Sequence, residues 1–399
     1  MSTASTASSV HRAAVPSRGW PLWRLGFRPF YLGALLFGAL AVPLWIGLLA
    51  GHAVPRMVLP PLLWHAHEML FGFAAAVICG FLLTAVRAWT GLATLRGAPL
   101  AALAALWLAA RVAAFAAPYP VYAVLDELFL PCVAVALATV LVRARNWRNL
   151  PLVGLIVLLA VANAAFHLAA RGDVAISPLR PLFAALALIV MIETVIAGRV
   201  VPAFTANAVA GSKPRRWRAL EIATPLASVL GLCAWVFEAP PRLASVLLAL
   251  AAALHLARWL AWRPWVSRGR PILWILHLSY GWIPLGFALL AAAQFAWVAE
   301  SAGVHAFAVG ATAGLIVGMI TRTARGHTGR ALQASPAEVV AYGAIVVAAL
   351  LRVLLPLAAP GWADAARNGA AVAWTLAFAI VLVVFTPWLL AARADGKDG

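Results

Sequence analysis

The chain is built from apolar runs of about 20 residues, the length an α-helix needs to cross the hydrocarbon core of a bilayer. About twelve such runs can be drawn: near 29–50, 62–86, 98–117, 121–142, 150–170, 180–204, 217–237, 242–262, 271–294, 302–322, 336–357 and 369–391. Trp and Tyr gather at their ends, and Arg, Pro and Gly fill the gaps, as interfacial anchors and connections do. Only the tripeptide "PYP" divides 98–117 from 121–142. The 399 residues are 65% hydrophobic and 11% charged, with mean hydropathy +0.96. A soluble fold has no surface for such a composition. The expectation is an all-α, polytopic membrane helix bundle.

A formal net charge of +18 would suggest nucleic acid in a soluble protein. Here most of the basic residues sit in alternate loops. Arg12, Arg18, Arg24 and Arg28 precede the first span, Arg143, Arg145 and Arg148 follow the fourth, and Lys213, Arg215, Arg216 and Arg218 follow the sixth. This bias predicts cytoplasmic termini and an even number of spans, with the lipid bilayer as partner and no nucleic acid. Residues 1–24, rich in Ser, Thr and Ala and without an apolar core, are expected to be a disordered cytoplasmic tail. Residues 25–393 form one transmembrane domain, and 394–399 a short cytoplasmic tail. Cys79, Cys132 and Cys233 lie singly in apolar runs and read as small hydrophobes. P-loop, GxSxG, HExxH, CxxCH and dinucleotide fingerprints are absent, so soluble-enzyme chemistry and covalent haem find no support.

With this topology each histidine acquires a depth. His65 and His67, in "WHAHEM", open span 2; His167 closes span 5; His305 opens span 10. At the helical rise all four fall within roughly 8 Å of the outer boundary. His255 and His277 lie ~10 Å from the inner boundary by the same rise. His327 follows span 10 on the inner side, in "RGHTGR". Imidazole is the commonest protein ligand for haem iron and copper. The outer four are candidate ligands for a haem, a copper ion or both, and His255 and His277 for a further iron or copper. A single histidine at a helix end is more often an interfacial or hydrogen-bonded residue, and His327 serves equally well as a helix cap. Shared depth across non-adjacent spans favours ligation for the outer set.

Two residues on a helix are separated by ~200°, so His65 and His67 should face opposite sides of span 2 and serve different neighbours. Glu68 is three residues beyond His65 and is expected on its face, orienting that imidazole or reaching to the interface. Arg111 in span 3 and Arg322 at the inner end of span 10 are candidate partners for a carboxylate or a haem propionate. Glu193, near mid-membrane in span 6, is a candidate for proton movement or transport. Gly310, Gly314 and Gly318 make a small-residue stripe that suits helix packing, or clearance for a flat macrocycle beside His305.

The segment "WHAHEMLFGFAAAVICGFLLTAV" followed by "WTG" resembles the signature of the NnrS family of bacterial inner-membrane proteins. So do "GRVVPAFT", "LHLARWLAW", "LWILHLSYGWIPLG" and "HAFAVGATAGLIVGMITRTARGHTGR", in the same order. The resemblance implies about twelve spans, haem b and copper as cofactors, and a part in the response to nitric oxide and nitrosative stress. His65, His67, Glu68, His167, His255, His277, His305, Arg322, His327 and Arg330 fall on the family's pattern. "VRAWTG" departs from it, with Arg87 and Ala88 where Pro-Asn is common, as does "FTANAV" where a basic residue follows the Thr. The function expected is a haem- and copper-binding membrane protein that handles nitric oxide or protects against its products, with an electron donor as partner. Whether it has redox activity toward nitric oxide is left open. The alternatives are a proton-coupled permease using Glu193 and the membrane histidines, and a haem-binding scaffold or sensor.

Overall fold

The computed structural model describes residues 19–52 and 57–397. Residues 1–18 of the expected tail lie outside the described residues. Residues 19–24 are ordered: Pro21–Trp23 makes one 3₁₀ turn, Leu22 is buried, and the Trp23 carbonyl accepts from the Gly97 amide.

Twelve helices long and apolar enough to cross a membrane account for nearly all of it, and the described residues contain no strand. They are α1 Phe27–Leu49, α2 Pro61–Thr90, α3 Ala98–Ala116, α4 Tyr119–Arg143, α5 Trp147–Arg171, α6 Leu179–Ala208, α7 Arg218–Val236, α8 Pro241–Ala261, α9 Pro271–Ala293, α10 Glu300–His327, α11 Pro336–Ala358 and α12 Pro360–Leu390. Local chemistry sets the boundaries. Pro61, Pro241, Pro271, Pro336 and Pro360 open helices, where a missing N–H costs nothing. α11 also carries a reciprocal Ser335–Glu338 capping box. Gly91 and Gly172 end α2 and α5 at φ of +71° and +80°. The "PYP" break is real, with Ala117 extended between α3 and α4.

Sequential helices pack as neighbours, and α1 closes against α12. The Arg28 guanidinium, at the start of α1, donates to the carbonyls of Leu389 and Ala391 at the end of α12 (2.8 and 2.7 Å). The start of α1 and the end of α12 therefore meet at one end of the bundle. The most enclosed spans are α2 and α10, 78% and 72% buried over their most apolar stretch, and these carry His65, His67 and His305. A helix buried on all sides has no lipid-facing surface to satisfy, so it is free to carry polar groups inward.

The glycine stripe of α10 is a packing surface. A Cβ at Gly310 would strike the Trp282 ring, one at Gly314 the Ser279 hydroxyl, and one at Gly318 the Leu276 side chain, all on α9. Three segments depart from α geometry and take the wider π turn: Glu68–Ala74 in α2, Ala306–Ala313 in α10 and Leu350–Leu354 in α11. Such turns are uncommon and recur at functional sites. Two of them begin directly after the histidines of their helices.

Candidate functional site

At the end of the bundle remote from the start of α1 and the end of α12, two environments lie on opposite sides of α2. The first is a polar cluster walled by α2, α3, α4 and α5. His67, Asp126 and His167 form the one group of three or more ligand-type side chains among the described residues, with a donor atom of each within 4.8 Å of the others. Asp126 Oδ2 lies 3.2 Å from His67 Nε2 and 3.1 Å from His167 Nε2, and accepts from Asn163 Nδ2 at 2.7 Å. All four side chains are buried.

The surrounding groups hold the two rings. Tyr122 Oη lies 3.0 Å from His67 Nδ1 and donates to Glu68 Oε1 at 3.1 Å. Tyr119 Oη lies 3.0 Å from His167 Nδ1. Arg111 donates to both Glu68 and Asp126, so it has the carboxylate partners expected of it. Glu127 follows Asp126 and holds a buried Oε2 without a hydrogen bond. Three acids against one arginine leave the cluster rich in acid. In a low-dielectric setting that excess is balanced by a proton on an imidazole or by a bound cation.

Glu68 faces His67, at 3.3 Å from its Nδ1, and not His65. The backbone between His65 and Glu68 is regular, the Glu68 amide bonding the Trp64 and His65 carbonyls. The Glu68 carboxylate is drawn instead toward Arg111 of α3 and Tyr122 of α4, which hold its two oxygens.

The second environment is a cavity of about 80 Å³ between α1, α2, α6, α10, α11 and α12. His65 and His305 line it, with Met69, Arg352 and Arg367. The His65 ring stacks on Trp45, centroids 3.9 Å apart at 14°, and its Nδ1 is buried without a hydrogen bond. His305 Nδ1 donates to the Ser301 carbonyl at 2.7 Å. A carbonyl accepts only, so the proton is on Nδ1, and Nε2 keeps its lone pair. Toward the other end lies a second cavity of about 80 Å³, lined by Tyr31, Glu193 and Met319. Thr312 lines both cavities, and Glu193 Oε2 is buried there without a hydrogen bond.

The remaining sequence candidates lie apart from this end. His255 has both nitrogens in hydrogen bonds, Nε2 to Ser228 Oγ at 2.8 Å and Nδ1 to Tyr280 Oη at 2.7 Å. His277 Nε2 lies 2.8 Å from Thr205 Oγ1, while its Nδ1 is buried without a partner. A metal on His255 must displace one of its hydroxyls; His277 has a nitrogen to spare. His327 packs against the Phe27 ring at 5.5 Å. The Arg322 guanidinium lies 3.9 Å over the Phe204 ring with Nη1 buried and unpartnered. Arg330 covers Trp388 and donates to the Thr328 carbonyl at 3.2 Å.

Sequence reasoning missed Asp126, Glu127, Asn163, Tyr119 and Tyr122. The signal was present in "YPVYAVLDELFLP", an acid pair inside an apolar run. The criterion that singled out Arg111 and Glu193 applies to it equally.

Compared with protein-family models, residues 21–393 match the one described as NnrS protein. A comparison with curated proteins finds no match.

Proposed function

Since the chain belongs to the NnrS family over nearly its whole length, we propose that it is a haem- and copper-binding protein of the bacterial inner membrane that acts in the response to nitric oxide. Its chemistry sits on the two sides of α2, and an electron donor serves it. The observation that carries this reading is the division of four histidines into two ligand environments, His67 with His167 around Asp126, and His65 with His305 around a cavity.

The donor chemistry is compatible with both groups. Two imidazole nitrogens and one carboxylate oxygen form a donor set open to copper, as to iron(II) and other borderline transition ions. On the other side an unpartnered His65 nitrogen and the lone pair of His305 Nε2, the donors a haem iron takes, border a space with apolar walls that at about 80 Å³ is far smaller than the macrocycle. Bound there, these groups would supply coordination of nitric oxide and single-electron chemistry.

The chain's own part is to hold and to exclude. The two tyrosines fix the rings of His67 and His167 through their Nδ1 atoms, as hydroxyls behind a ligand imidazole do. Trp45 fixes the plane of His65, and the Ser301 carbonyl fixes which nitrogen of His305 is free. Val42, Leu70, Phe73 and Leu186 keep water from the cavity. His255, His277 and His327 belong to the same proposal as candidate ligands nearer the other face, His277 with the free nitrogen.

The test is an absorption spectrum and metal analysis of the full chain purified in detergent. A Soret band with bound copper is expected. Neither band nor copper overturns the proposal.

A second reading, proton-coupled transport, is favoured by Thr312, which lines both cavities, and by the buried Glu193 in the second of them. Proton uptake by proteoliposomes, abolished in Glu193→Gln, is its test. Equal uptake by both proteins rejects it.

A further inference from the structure

The cavity that holds His65 and His305 carries more positive charge than its histidines need. Arg352 and Arg367 line it, and no carboxylate does. Arg352 makes no hydrogen bond or ion pair among the described residues. Its nearest charged influence is Arg367, which bears the same sign. Arg367 pairs through Nη1 with the exposed Asp364 at 2.8 Å and leaves Nε buried and unpartnered.

Arg352 could have been kept out of this space. α11 has an exposed face, on which Leu350 and Leu354 lie, and a long arginine reaches the interface from such a face. It sits instead within the π turn Leu350–Leu354, which packs against the π turn of α10 that follows His305. Arg352 is half-buried beside an apolar cavity and has no counter-charge, so its donors are on offer. Paired with a carboxylate or an oxyanion it gains a charge-assisted, often two-pronged hydrogen bond. The walls below are apolar and aromatic, Trp45 and Trp374 among them.

We propose that this end of the cavity is an anion site. Arg352 anchors, with Arg367 beside it, either the carboxylate of a ligand whose apolar body fills the cavity or a compact free oxyanion. The sequence candidates for such a role, Arg111 and Arg322, are engaged elsewhere, with Glu68 and Asp126 and over Phe204.

The experiment uses the full chain in detergent, as wild type, as Arg352→Ala/Arg367→Ala and as Arg352→Lys/Arg367→Lys. In one arm haem and its dimethyl ester, which lacks the carboxylates, are titrated into haem-free protein and followed by absorbance. In the other, inorganic phosphate and nitrite are titrated and the melting temperature is read, since a ligand of the folded state raises it. If the ligand's own carboxylates are the anion, wild type binds haem at least about tenfold tighter than the ester, the worth of one charge-assisted hydrogen bond. The alanine pair then binds the two alike, and the lysine pair falls between. If a free oxyanion is the occupant, phosphate or nitrite raises the melting temperature of wild type and not of the alanine pair. Wild type that neither discriminates haem from ester nor responds to either anion differently from the alanine pair overturns the proposal. The haem arm rests on the function proposed above; the anion arm does not. Failure of both proteins to bind haem or its ester counts against that function, while the anion arm still decides this site. The ligand-free alanine pair should melt close to wild type, because Arg352 has no counter-charge to lose and the exposed Arg367–Asp364 pair is worth little; so a loss of binding is not a loss of fold.

Discussion

His65 and His67 are two residues apart on α2 and look away from each other. His65 lies flat on Trp45 of α1, while His67 Nε2 sits 2.9 Å from Asn163 of α5. One turn of helix thus forms the partition between two sites. If both hold metal groups, His65→Ala and His67→Ala should alter different components of the optical and electron paramagnetic resonance spectra. Identical losses from the two variants would mean a single shared centre.

Asp126 touches both imidazoles of the polar cluster, so its removal should be felt as lost affinity rather than lost fold. Asp126→Asn keeps shape and hydrogen bonding on one side and removes the charge. We expect metal to be held about 10- to 100-fold more weakly, measured by competition with a chelator of known affinity. Unchanged affinity would mean that the carboxylate has no bearing on the metal.

Arg111 bridges two buried carboxylates, and its loss leaves both unpaired. Arg111→Met should lower unfolding stability in detergent by about 3–5 kcal/mol, the cost of breaking a buried ion pair. Adding Glu68→Gln and Asp126→Asn should recover most of that loss, because no buried charge then remains. A triple variant as unstable as Arg111→Met alone would show that Arg111 acts through packing.

Gly310 and Gly314 admit the side chains of Trp282 and Ser279 where a Cβ would otherwise be. Gly310→Ala should cost about 1–3 kcal/mol through overpacking between α9 and α10. Gly343, with nothing within 4 Å of its Cβ position, is the control. Gly343→Ala should be neutral or mildly stabilising, since alanine is the better helix former. Thermal melts of the two variants decide; equal effects would remove the case for a tight α9–α10 seam.

The bundle was legible in the sequence because its determinant is local: a run of apolar residues long enough to span lipid is written contiguously. The twelve spans agree with the expected runs to within a few residues at most ends, including the break at Pro118. Where residues meet across helices, legibility faded. Depth put His65, His67, His167 and His305 in one set; of these, the rings of His67 and His167 lie 5.4 Å apart. Depth could not say which of the four outer histidines pair, since that depends on the order of helices around the bundle. Asp126 lies in the apolar run of α4 as Arg111 does in that of α3, and composition alone does not say that the two meet. Glu68 was expected beside the wrong histidine because Arg111 and Tyr122 draw its carboxylate across helices, contacts that composition does not write.

The π turn at Glu68–Ala74 also lets α2 carry one residue more without losing its registry. A π turn holds one residue more than the α turn it replaces. Deleting one residue between Met69 and Ala74 would let the helix close as a regular spiral, with the stretches on either side nearly in phase as before. Both imidazoles would keep their stations, as would Thr84, whose hydroxyl meets the Phe27 amide of α1. The bulge works like slack in a line: it takes up a residue that the packing on one side and the chemistry on the other do not feel.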